Sequence, residues 1–153
     1  MIIYQTKDYI LLAELCKYVH DVHYSLYPDY FKPYKKEDMI QFFQSIVEDE
    51  HFYFYIIEDE NNPIGYVFFE HKHYKENVFR KAYQSMYIHQ ISISKAARNK
   101  GYGRKLMDKI ISLANEKQIS KIELDYWANN ELAKSFYEKL GFTVYREFVY
   151  KEI

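Results

Sequence analysis

Apolar residues recur at helical spacing through "DYILLAELCKYVHDVHYSLY", where Leu11, Leu12, Leu15, Val19 and Val22 fall on one stripe, and this predicts a helix from Asp8 to near Pro28. "KKEDMIQFFQSIVED" repeats the pattern with Met39, Phe43, Ile46 and Val47. Ahead of both, "MIIYQT" reads as a short strand. "HFYFYII" and "PIGYVFFEHKHY" read as two further strands around a polar hairpin turn, "EDENNP". "KENVFRKAYQS" fits no period and is read as a long loop with a helical turn. "MYIHQISIS" then alternates, which places Tyr87, His89 and Ile91 on one face of a strand. A helix follows with apolar positions Leu106, Met107, Ile110, Leu113 and Ala114. "KIELDYW" is a strand with Ile122, Leu124 and Tyr126 on one face. "NNELAKSFYEKLGF" is a short helix that Asn129 or Asn130 can cap and that Gly141 can close at C′. "FTVYREFVYKE" completes the order as a last strand. The result is β-α-α-β-β-β-α-β-α-β, a mixed α/β chain read as one domain over residues 1–153, with no repeat, linker or composition break.

Composition narrows the possibilities. Of 153 residues, 48% are apolar and 20% aromatic, enough for a real core and unlike a disordered chain. The net charge of −1 gives no global attraction to nucleic acid or to a membrane surface. The single cysteine, Cys16, excludes an internal disulfide and a cysteine-based zinc site. No apolar run approaches 18 residues and the start lacks a signal-peptide pattern, so a cytoplasmic protein is expected.

One segment stands apart. "SKAARNKGYGRKLM" holds Lys95, Arg98, Lys100, Arg104 and Lys105 with no acid, and two of the chain's four glycines, Gly101 and Gly103. Glycines at a strand-to-helix junction let the backbone approach a ligand and turn its N–H groups toward it. The helix N-terminus adds free donors and partial positive charge. The combination points to an anion, above all a phosphate, against the plainer reading of a tight turn beside a solvated basic face. A Walker loop would need a hydroxyl after the lysine, and the dinucleotide fingerprint would need a third glycine where Leu106 stands.

"RNKGYG", residues 98 to 103, resembles the [RQ]-x-x-G-x-[GA] signature of the GNAT superfamily of N-acetyltransferases, between a strand and the following helix. "NELAKSFYEKLGF", from Asn130 to Phe142, resembles that family's N-x-x-A-x-x-F-Y-x-K-x-G-F run. The resemblance is strong from Tyr87 to Phe142, and element order extends it over the first half, as does "PDYFKP", a helix-connecting stretch like that of some bacterial members. One departure is Lys95, where many members have proline.

The resemblance implies a GNAT-like fold, a mixed and mostly antiparallel sheet of about 6–7 strands flanked by about four helices. It implies acetyl-CoA as co-substrate, its pyrophosphate held by Arg98, Asn99, Lys100, Gly101, Tyr102 and Gly103, and its pantetheine arm paired with the backbone around Ile91 and Ile93. Asn130 would contact the co-substrate, cap its helix, or do both. Attack by the amine is direct, so no enzyme nucleophile is needed, and Cys16 is assigned to the core. Tyr137 occupies the position of the acid that protonates the thiolate, although it also belongs to a packing stripe with Ala133, Phe136 and Leu140. His89 is the best-placed base, beside the equal alternative of a half-buried structural histidine.

The acceptor that the resemblance implies is a primary amine on a small molecule or a protein. Tyr24, Tyr27, Tyr30, Phe31 and Tyr34, with Asp29, and later Tyr74, Phe79 and Tyr83, are either its surroundings or general-purpose aromatics. His20 with His23 and His71 with His73 match no metal motif, and no metal is expected. Nucleic acid and membrane are not expected partners. A homodimer through the aromatic-rich closing strand is one arrangement the resemblance allows. The competing function is a sensor of the same fold that binds acetyl-CoA, or a partner, without turnover.

Overall fold

The computed structural model describes residues 1–153. It contains β1 (Ile2–Gln5), α1 (Tyr9–Leu26), α2 (Lys36–Ile46), β2 (Phe52–Asp59), β3 (Asn62–Tyr74), β4 (Tyr83–Ile93), a 3₁₀ turn (Lys95–Ala97), α3 (Tyr102–Glu116), β5 (Ile122–Leu124) and α4 (Glu131–Lys139). The five strands lie in the order β1-β2-β3-β4-β5. Every pairing is antiparallel except β4 with β5, which run parallel.

Local chemistry sets the ends of these elements. Asp8 caps α1 by accepting from the N–H groups of Ile10 and Leu11 at 3.1 and 2.9 Å. The β2–β3 hairpin turns on Glu60 and Asn61, whose φ values of 49° and 63° are the left-handed pair that a two-residue turn of type I′ requires.

Two cores flank the sheet. On one face Leu12, Cys16 and Phe43 from α1 and α2 meet Phe54, Ile56, Tyr66 and Phe68. On the other, Leu106, Met107 and Ile110 of α3 and Tyr137 of α4 meet Tyr55, Ile57, Val67, Phe69, Met86 and Ile88. Strands covered on both faces lose strict polar alternation, which is why β2 and β3 read as continuous apolar runs.

Three expectations need correction. The sheet has five strands, not six or seven, because "FTVYREFVYKE" joins no strand: residues 143–153 make no backbone hydrogen bond. The part of "KENVFRKAYQS" nearest β4 belongs to that strand, which starts at Tyr83. Tyr87, His89 and Ile91 do not share a face. Phe68 pairs with Gln90 and Phe69 with Ile88, so His89 is an extra residue in β4, a β-bulge. Beyond it the facing reverses: His89 stacks on Phe68 on the α1–α2 side, whereas Ile91 packs into the α3–α4 core. Alternation alone cannot show this, since one inserted residue looks like an ordinary step in the pattern.

Candidate functional site

β4 is longer than its parallel neighbour. β5 pairs only Met86–Ile88 with Ile122–Leu124, so β4 beyond Ile88 has no strand on that side. The Ser94 N–H donates to the Ile64 carbonyl at 2.8 Å, which turns Ser94 toward β3. By strand alternation Ile91 and Ile93 then present their N–H and C=O groups to the open side. The Arg98 Nε donates to the Ile93 carbonyl at 3.2 Å, marking that outer edge. Ahead of the bulge the even-numbered residues face β5, since the Met86 N–H donates to the Lys121 carbonyl at 3.0 Å. The bulge thus brings Ile91 and Ile93 to the open edge, a notch suited to an extended ligand that lies like a further strand.

The notch leads to the basic loop. Asn99 and Gly101 have left-handed φ values of 62° and 82°, and Gly101 is the residue before α3. α3 has no side-chain cap and no acid in its first turn, so the N–H groups of Tyr102, Gly103 and Arg104 remain available. Lys100 and Arg104 are exposed and Arg98 is half-buried. This is a donor-rich, positively charged helix start, of the kind whose field favours an anion.

The two glycines have different tasks. A Cβ on Gly101 would meet nothing within 4 Å, so glycine is needed there for its backbone angle. A Cβ on Gly103 would lie 3.2 Å from the Phe136 ring, so glycine there admits α4. The Tyr102 side chain leaves the loop altogether: its hydroxyl donates to Asp59 at 2.6 Å, holding that carboxyl below the usual range, so only its backbone can serve a ligand at the helix start.

α4 is fixed at both ends. Asn130 is buried and accepts from the Ala133 N–H at 3.1 Å, the capping role its position allows. At the other end the Gly141 N–H donates to the Glu138 carbonyl and the Phe142 N–H to the Tyr137 carbonyl, both at 3.0 Å. With Gly141 at φ 85°, this is a Schellman motif, and its usual apolar contact is the Phe142 ring 5.5 Å from the Tyr137 ring. Tyr126 stacks on Tyr137 at 6.1 Å and Phe136 meets it edge-on at 5.1 Å. The Tyr137 ring is therefore immobilised in the core, yet its hydroxyl has no protein partner and is not among the sealed, unpaired polar atoms. Burial pushes its pKa well up, so the phenol stays protonated.

His89 approaches the same stretch of β4 from the other face. Its Nε2 lies 2.9 Å from the Glu70 Oε2, with the ring stacked 4.6 Å from Phe68 and edge-on to Tyr87 at 5.0 Å. Glu70 is a partner that sequence reasoning missed, because the bulge decides which β3 residue His89 meets.

Trp127, the only tryptophan, joins aromatics that the sequence pattern does not connect to it. It follows β5 and is surrounded by Tyr27 at 4.6 Å, Phe31 at 5.0 Å and Tyr30 at 5.7 Å. The Asn129 N–H donates to the Tyr27 hydroxyl at 2.9 Å. These contacts tie the α1–α2 connection to the start of α4. The remaining aromatics of the expected acceptor group disperse: Phe79 is exposed in the β3–β4 loop, and Tyr74 stacks on Tyr83 at 4.3 Å where β4 begins.

The paired histidines of the sequence pattern have structural neighbours. His20 Nε2 lies 2.7 Å from the Lys32 carbonyl, His23 stacks on Phe31, and His71 Nε2 lies 2.8 Å from Gln84. No three His, Cys, Asp or Glu residues gather as a metal site. Cys16 is buried in α1, and burial pushes its thiol up to about 12, so it holds no thiolate near neutral pH. Two hollows of about 260 Å³ lie beside the Glu58–Asn61 turn and between Gln5–Lys7 and Val47–Phe54; neither is lined by the basic loop or Tyr137. No helix is long and apolar enough to cross a membrane.

Comparison with known proteins gives a consistent picture. The model of the acetyltransferase (GNAT) family matches residues 19–142. N-alpha-acetyltransferase 30 of Schizosaccharomyces pombe is 28% identical over 130 residues, covering 85% of this chain and 81% of that protein. Among solved structures, the tetramutant of the BH1408 protein from Bacillus halodurans is similar with a TM-score of 0.93 and 26% identity over 100% of both chains. A predicted acetyltransferase from Clostridium acetobutylicum, solved with acetyl-CoA, has a TM-score of 0.70 and 18% identity over 99% and 96% of the two chains, a likeness of fold.

Proposed function

The chain belongs to the GNAT acetyltransferase family, and on that premise we propose that residues 1–153 form one N-acetyltransferase domain that moves an acetyl group from acetyl-CoA to a primary amine by direct attack. One observation carries the reading: the free edge of β4 at Ile91 and Ile93 runs into the uncapped, basic start of α3, and both isoleucines pack against the core cluster that holds Tyr137. An extended thioester with a pyrophosphate at one end fits that succession of donors.

Acetyl-CoA supplies the thioester and, after transfer, the thiolate. The backbone N–H groups of residues 98 to 103, with Arg98 and Lys100, hold the pyrophosphate. An N–H at Ile91 or Ile93 polarises the thioester carbonyl and stabilises the oxyanion that forms as the C–N bond is made. Tyr137 gives its proton to sulfur as the C–S bond breaks. His89, oriented by Glu70, or a water beside it, takes the proton that the ammonium must lose before attack. Acid and base reach β4 from opposite faces of the sheet, so proton removal and proton delivery stay separate. Asn130 acts through its helix, by setting where Tyr137 stands.

The acceptor side is the rim formed by Tyr27, Tyr30, Phe31 and Trp127. A relative named for N-alpha acetylation puts peptide α-amines first among acceptors to try, ahead of small amines. Thermal unfolding with acetyl-CoA, followed by thiol release against an amine panel, tests the reading. A raised midpoint and release with at least one amine are expected. No shift overturns the site, and a shift without turnover of any amine turns the assignment to a sensor.

A further inference from the structure

The bulge at His89 also decides the surroundings of its neighbour, Gln90. Strict alternation would set the two side chains on opposite faces of β4. Instead His89 stacks on Phe68 and Gln90 bonds to Tyr66, and both of those aromatics belong to the α1–α2 core. The Tyr66 side chain is wholly buried, and its hydroxyl donates to the Gln90 Oε1. Burial keeps that phenol protonated, and it has no other acceptor, so the amide is held with its oxygen toward Tyr66. Both Nε2 hydrogens are left free. Gln90 is half-buried, and its Nε2, with no protein partner, is not among the sealed, unpaired polar atoms. The other polar side chains from Tyr87 to Ser92 are engaged. The Tyr87 hydroxyl donates to Asp125, the neutral His89 ring donates from Nε2 to Glu70, and the Ser92 hydroxyl donates to the Leu15 carbonyl at 2.8 Å. Of this stretch, the Gln90 amide alone has side-chain hydrogens to offer a ligand, and a neutral N–H donor selects an oxygen rather than a cation.

We propose that Gln90 selects the acceptor, its Nε2 donating to a carbonyl oxygen next to the reacting amine. The preferred substrates are then α-amines that carry an α-carbonyl, as a peptide N-terminus does. The assignment rests on the acetyltransferase reading and gives that reading a residue for its acceptor. Its place in the chain supports it. Gln90 stands between His89, which takes the proton of the ammonium, and the Ile91 backbone at the open edge where the thioester lies. In an α-amino carbonyl compound the oxygen is three bonds from the amine nitrogen, roughly 3 Å away. A hydrogen bond from Nε2 adds about 3 Å more, so a donor one residue from the base can fix the amine beside it. An amine without that oxygen loses the anchor. The bond from Tyr66 matters as much as the amide itself. A free glutamine side chain gives up rotamer freedom when it binds, whereas one held by a buried phenol is already oriented.

Thiol release from acetyl-CoA tests this with alaninamide and with sec-butylamine, which keeps the amine and the methyl branch but has an ethyl group in place of the carboxamide. Gln90→Glu retains an acceptor for the Tyr66 hydroxyl and removes the Nε2 hydrogens. It should lower the kcat/KM ratio of alaninamide to sec-butylamine about tenfold or more. Tyr66→Phe leaves the amide unheld and should lower the same ratio by less. A general loss, from a disturbed His89 or a looser fold, weighs on both amines alike and leaves the ratio where it was. Side-chain amide NMR supplies a readout without turnover. The Gln90 Nε2 resonances, identified by their absence from the Gln90→Glu spectrum, should shift with alaninamide in the presence of CoA and stay in place with sec-butylamine. An unchanged ratio in Gln90→Glu, or Gln90 resonances that alaninamide does not move, overturns the proposal. If the unchanged chain releases thiol with no amine, the acetyltransferase reading fails, and the Gln90 resonances then decide the binding role by themselves: a shift upholds it and none overturns it.

Discussion

Gly101 and Gly103 look equivalent in "RNKGYG", yet they answer to different neighbours. Alanine at 101 must adopt a left-handed angle, at about 1–2 kcal/mol. Alanine at 103 presses on Phe136 and should cost about 1–3 kcal/mol through overpacking. Chemical denaturation of both variants, with acetyl-CoA affinity measured alongside, checks this. A Gly103→Ala protein of unchanged stability but lost affinity would mean that the ligand, not Phe136, fills the space. Tyr137 carries a sharper prediction. Tyr137→Phe keeps the ring, its three aromatic neighbours and the Schellman contact, and removes only the hydroxyl. Turnover should fall about 10²–10⁴-fold with acetyl-CoA affinity nearly unchanged. Steady-state kinetics with a titration of acetyl-CoA distinguishes this from a packing role, for which turnover would persist.

Elements show where patterning suffices and where it does not. Helical spacing located all four helices, and Asn130 and Gly141 marked the ends of α4, because caps and periodicity are local properties. The bulge at His89 was hidden, since a single inserted residue changes facing without changing composition. The closing strand was misread for a related reason: strand-forming residues need a partner, and none within the chain is supplied to residues 143–153. The Trp127 cluster joins segments about 100 residues apart and leaves no local trace. Trp127→Ala removes three aromatic contacts of about 0.5–1.5 kcal/mol each. A loss of about 2–4 kcal/mol in denaturation is expected, with KM for the amine rising and KM for acetyl-CoA nearly constant. In β5, burial alone would raise the Glu123 carboxyl. The hydroxyls of Tyr145 and Tyr83, which donate to it, and the Lys121 charge outweigh that and lower it from 4.5. A carboxyl lowered on folding stabilises the native state above about pH 4.5, and that contribution is lost as pH falls through its native value. The stability gap between the wild type and Glu123→Gln should be about 1.5–3 kcal/mol at pH 7 and shrink below about pH 4.5. A gap independent of pH would contradict the ionised assignment.

At the scale of the whole molecule, a sheet covered on both faces has a gap along its edge, where β5 stops and β4 continues. Near-zero net charge leaves anion recognition to local clusters, and the acid-free basic run from Lys95 to Lys105 was legible in the sequence. The notch was not, because it depends on strand length and on a bulge that turns Ile91 and Ile93 outward. Backbone amide NMR during an acetyl-CoA titration tests the notch as the co-substrate site most directly. The largest shifts should fall on the amides of Ile91, Ile93 and residues 99–104, with the Ile64-bonded amide of Ser94 changing less. Unperturbed Ile91 and Ile93 amides at saturating acetyl-CoA, or shifts confined to another surface, would contradict it.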